Sequence, residues 1–74
     1  MADGEGVPDT VDALRMRVGQ ALAGAGIEDP AVDAELLIGH VLGLSRGQVQ
    51  SRAITRAAVA AAYAERVLAL AARR

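Results

Sequence analysis

The feature that most constrains this chain is a corner written into residues 33–46, DAELLIGHVLGLSR. Ala34, Leu37, Ile38 and Val41 recur at i, i+3, i+4 and i+7, which places them on one face of an α-helix. Gly43 follows where a helix C-terminus needs positive φ, and Leu44 stands where the chain folds back onto the last turn. Ser45 and Gln48 then form an S-x-x-Q capping box, with Leu44 and Val49 flanking it as a hydrophobic staple. Two helices must therefore meet at residues 43–44. A chain with such a corner cannot be one long rod.

Alanine supplies 17 of the 74 residues and buries little area, so the core has to come from 8 Leu, 8 Val and 3 Ile. Alanine is also the strongest helix former, and no stretch alternates with strand period. The expected class is all-α, a small bundle of four or five helices over residues 9–74, behind a disordered acidic tail at residues 1–8. With no cysteine there is no disulfide framework, thiol nucleophile or cysteine-ligated zinc. The acidic start is unlike a signal peptide, and no uncharged run nears the ~18 residues of a membrane span. These readings lead to a cytoplasmic domain without a membrane partner.

Along the chain, Asp9 or Thr10 can cap a first helix whose stripe is Val11, Leu14, Val18, Leu22 and Ala25. Gly19 offers a place for another helix to approach closely, and Gly26 with Ile27 reads as a Schellman ending. Asp29 as cap and Pro30 at the first helical position start a second helix that runs to Leu42. Val32 and Leu36 widen its apolar face, as expected of a central helix. A short third helix is expected over residues 46–51. Thr55 is expected to cap a fourth helix, with Ile54 and Val59 as staple and Val59, Tyr63, Val67, Leu68 and Leu70 as its large apolar residues. The Leu68 side, continued by Ala57, Ala61 and Ala64, exceeds what three short neighbours need to cover.

No catalytic constellation is visible, so no catalytic, cofactor-binding or metal-binding residue is assigned. His40 is the only histidine and has no partner at helical spacing, which marks it as a surface or boundary residue. Asp33 and Glu35 are two apart on a helix and do not face each other. Gly24 and Gly26 follow no strand, so they make no phosphate loop. Ser45 lacks the preceding aspartate of a prosthetic-group serine and reads as a cap.

Charge is lopsided. Residues 1–35 hold 8 acids against Arg15 and Arg17, whereas residues 36–74 hold 6 arginines against Glu65. The two halves can neutralise each other on folding, or the second half can face an anionic partner. On the second alternative the candidate partner-binding residues are Arg46, Arg52 and Arg56 around the third helix, with Leu68 on the fourth. A rival reading takes residues 34–54 as a helix-turn-helix DNA-binding unit, with Gly39 at the small-residue position and Arg46, Gln48, Gln50 and Arg52 supplying groove and phosphate contacts. Arg52 where that motif wants an apolar residue, Gly47 within the recognition helix and the acidic first half all disfavour nucleic acid. A helical docking or dimerisation module is the other alternative.

The motif DAELL, followed after two residues by HVLGLSR, resembles the N-terminal helical domain of the HemK/PrmC-type methyltransferases, which modify the glutamine of peptide chain release factors. Residues 25–30, AGIEDP, and the late Arg73 and Arg74 fall at similar spacing, and the likeness spans residues 11–74. The resemblance implies a non-catalytic recognition and positioning domain, joined in the full enzyme to a catalytic domain that binds S-adenosylmethionine. It also implies the release factor and that catalytic domain as partners. The family's N-P-P-Y motif is absent, since the chain has no asparagine and Pro8 and Pro30 are isolated. The chain is therefore not expected to be an enzyme on its own, and it is expected to end at a domain boundary.

Overall fold

A computed structural model describes residues 7–73. Four α-helices follow one another: α1 (Val11–Gly24), α2 (Pro30–Leu42), α3 (Arg46–Ile54) and α4 (Ala61–Ala72). Helices α1 and α2 pack on each other, and both α3 and α4 pack on that pair without touching one another. The expected central role of α2 is thus shared with α1. The expected tail lies outside the described residues up to position 6; Val7 is exposed and Pro8 is buried.

Each stripe read from the sequence meets the others in one core. Leu14, Val18 and Leu22 from α1, Ile38 from α2, Val49 from α3 and Val67 from α4 are wholly buried. Such a side chain contributes about 1.5–3 kcal/mol relative to exposure. Four buried alanines (Ala34, Ala53, Ala64 and Ala71) lie among them on α2, α3 and α4.

One device ends the first three helices. At α1 the Gly26 amide donates to Ala23 O and the Ile27 amide to Leu22 O, with Gly26 at φ 83°. This is a Schellman turn as expected. At α2 the amides of Gly43 and Leu44 both donate to Gly39 O, with Gly43 at φ 71°. At α3 the Arg56 amide donates to Ala53 O and the Ala57 amide to Arg52 O, and here the left-handed residue is Arg56, at φ 55°.

The stretch after α3 corrects the expected start of the fourth helix. Thr55 does not cap forward; its hydroxyl donates back to Ser51 O and Arg52 O, and α3 runs three residues beyond the expected Ser51. Residues 57–60 then pass as an irregular segment beside the start of the chain. Val11 N donates to Ala57 O and Val59 N to Asp9 O, making an antiparallel bridge of Thr10 with Ala58. That pairing satisfies backbone groups that an earlier helix start would have used, and it buries Val59 in the loop rather than on α4. Helix α4 begins at Ala61 behind Ala60, which has no side chain able to cap it. Its core face is Ala64, Val67 and Ala71; Tyr63 is exposed, and Leu68 and Leu70 are half-buried.

Other expectations also needed correction. Asp29 sits at the cap of α2 but its side chain makes no capping bond, and Leu36 is exposed rather than part of a wider apolar face. No helix approaches Gly19, where an added Cβ would meet nothing within 4 Å. The close approach is at Gly39, whose added Cβ would stand 2.5 Å from Leu44 O.

Candidate functional site

The corner between α2 and α3 is built as its residues demand. Ser45 Oγ accepts from Gln48 N at 3.2 Å, and Gln48 Oε1 accepts from Ser45 N at 2.8 Å. The capping box fixes the direction in which α3 leaves. Gly39 lets the carbonyl of Leu44 lie against the last turn of α2, so α3 folds back beside it. The consequence is electrostatic, because it carries the first turns of α3 to Glu35.

Glu35 is 4 % exposed and joins three elements. Arg46 Nε on α3 donates to its Oε1 at 2.7 Å, and Gln50 Nε2, one turn further, donates to the same oxygen at 3.0 Å. From α1, Arg15 Nη1 donates to Oε2 at 3.4 Å while Nη2 reaches Asp12 at 3.4 Å. Burial pushes the Glu35 carboxyl up, but the bonds from Arg46 and Gln50 and the charges of Arg46 and Arg15 outweigh it. The carboxyl is held below its ordinary range. Sequence reasoning tested Glu35 only as half of a dyad and missed this role. The available signal was its place one residue beyond Ala34, on the flank that the Gly43 corner turns toward α3.

The candidate partner residues separate accordingly. Arg46 is about half exposed and is engaged with Glu35. Arg52 lies about 120° around α3 from Arg46, at 100° per residue. It is exposed and lines a groove of about 290 Å³ with Val11, Leu42, Leu44 and Tyr63. Arg56 is exposed in the left-handed turn that follows. Leu68 is half-buried against the core on α4, apart from the arginines. Arg52 and Arg56 thus flank one corner, at the end of α3.

This geometry weighs against groove-reading by α3. Of the four side chains such a helix would use, Arg46 and Gln50 are held by Glu35 and Gln48 closes the capping box. His40 is exposed in the last turn of α2. Among the described residues no group of three or more His, Cys, Asp or Glu could hold a metal ion, and no helix is long and apolar enough to cross a membrane.

A family model of the PrmC N-terminal domain matches residues 13–74. The chain belongs to that family. No curated protein and no solved structure matches it. The PrmC match takes in all of α2, α3 and α4 and all but the first two residues of α1, so the Glu35 network and the arginines at the end of α3 lie within it.

Proposed function

We propose that this PrmC N-terminal domain recognises and positions a peptide chain release factor for an S-adenosylmethionine-dependent glutamine methyltransferase, and supplies no reacting group itself. The observation that carries the reading is the family match over residues 13–74. The one buried ionisable side chain among the described residues, Glu35, is saturated by Arg46, Gln50 and Arg15 and held ionised, so it is not poised to move a proton.

The described residues do not fit S-adenosylmethionine. Gly26 and Gly43 serve helix C-termini, and no glycine-rich loop joins a strand to a helix start. No step of methyl transfer is assigned to this chain. Holding a protein substrate in register lowers the entropic part of the barrier without a catalytic group.

Arg52 and Arg56 are the favoured contacts, as exposed cations with no ion pair among the described residues. Arg46 contributes through its outer half and Leu68 through its solvent edge. The test is calorimetric titration of the chain with its release factor. Saturable binding that weakens about tenfold in a double Arg52→Ala, Arg56→Ala variant is expected, a loss typical of two interfacial cations. No binding, or binding indifferent to both substitutions, would contradict the proposal.

A further inference from the structure

The segment between α3 and α4 has an unused backbone face. In the antiparallel bridge, Val11 N bonds Ala57 O and Val59 N bonds Asp9 O, so Thr10 and Ala58 form the pair without mutual hydrogen bonds. In such a pair the N–H and C=O of each residue point away from the other strand. Ala58 is exposed, and its two backbone groups find no backbone partner among the described residues. Ala58 lines the groove of about 290 Å³ together with Val11, Leu42, Leu44, Arg52 and Tyr63. No acidic residue lines that groove. A larger and more apolar groove lies over Gly19, between Met16 and Pro30, but no unpaired charge or free backbone edge there selects an occupant.

We infer that the groove beside Ala58 receives an extended acidic peptide segment of the protein partner. The segment pairs its backbone with Ala58, sets an apolar side chain on Leu42 and Leu44, and directs a carboxylate to Arg52. An extended chain brings residues i and i+2 to one face, so the apolar residue and the acid belong two apart. Main-chain bonds to an exposed edge give affinity, and the pocket and the cation give sequence preference. The inference rests on the protein-recognition reading above and names the chemistry of the segment recognised.

The experiment is a two-dimensional amide NMR titration of the 74-residue chain with an acetylated, amidated hexapeptide containing leucine, serine and glutamate in succession. Saturable shifts are expected at Leu44, Ala58 and Tyr63. Replacing the peptide glutamate by lysine, or Arg52 by Glu, is expected to weaken binding about tenfold, the scale of a reversed interfacial charge. N-methylation of the peptide residue that faces Ala58 is expected to abolish it. Arg52 has no ion pair among the described residues, so the R52E spectrum reports folding directly. Shifts centred on Met16 and Gly19, or equal affinity for R52E, would overturn the inference. Peptide binding here without any binding of the release factor would support the groove and sink the release-factor reading. Release-factor binding that leaves Ala58 and Tyr63 unmoved would do the reverse.

Discussion

Three single residues test how this chain holds its shape. Glu35 is the first: its carboxylate accepts from Arg46, Gln50 and Arg15 at once. Glu35→Ala is expected to lower stability by about 1–3 kcal/mol, the range for hydrogen bonds to a charged group, reduced because Arg46 is half exposed and can turn to water. Chemical denaturation checks it. Because the folded chain holds this carboxyl below its ordinary range, the unfolded chain takes up the proton first as pH falls. The network's stabilisation is therefore full above the ordinary carboxylate range and is lost as pH drops through the depressed native value. Glu35→Gln should flatten that acid limb of the stability curve, and an unchanged limb would contradict the assignment. Gly39 is the second. Gly39→Ala forces a Cβ against the Leu44 carbonyl and should cost about 1–3 kcal/mol, whereas Gly19→Ala, facing open space, should add about 0.5–1 kcal/mol. The paired melting temperatures test both signs together. Arg56 is the third: the left-handed region penalises any residue but glycine, so Arg56→Gly should stabilise the fold by about 0.5–1 kcal/mol while weakening the proposed partner contact. A variant that gains stability and loses binding separates the two roles.

Among the elements, α1, α2 and the corner after α2 were legible because residue type and position agree there. Val11, Leu14, Val18 and Leu22 keep helical spacing, and the two glycines that end these helices have the residue type the turn demands. The end of α3 was not legible for the converse reason. Its left-handed residue is an arginine, which carries no such signal, and the Thr55 that follows Ile54 looks like the cap of a new helix. What overrides that local signal is distant: the pairing of residues 57–59 with Asp9, Thr10 and Val11, about fifty residues away in the chain. The same holds for the site. Arg46 and Arg52 were identifiable as cations, but only the folded corner shows that one is tied to a buried carboxylate and the other is not. Loosening the packing beside the bridge tests the element-level account. Val59→Ala leaves a hole where a buried side chain sat and should destabilise by about 1–2 kcal/mol, below the cost of emptying a full leucine site. Amide exchange at Val11 and at position 59 should rise with it.

At the scale of the whole molecule, Glu35 of the acidic first half receives Arg46 of the basic second half. That pairing consumes part of the asymmetry and leaves Arg52 and Arg56 exposed at the end of α3, with Arg66 and Arg73 exposed on and just after α4. The proposed function assigns the exposed charge at the end of α3 to a partner. Its family membership places that shape in the PrmC N-terminal domain family. The most direct measurement compares kcat/KM of a methyltransferase carrying this domain on an intact release factor and on a short peptide spanning the target glutamine, with and without the double Arg52→Ala, Arg56→Ala substitution. The account predicts a higher KM on the intact factor, an unchanged kcat and no effect on the short peptide. Equal loss on both substrates, or no loss on either, would contradict it.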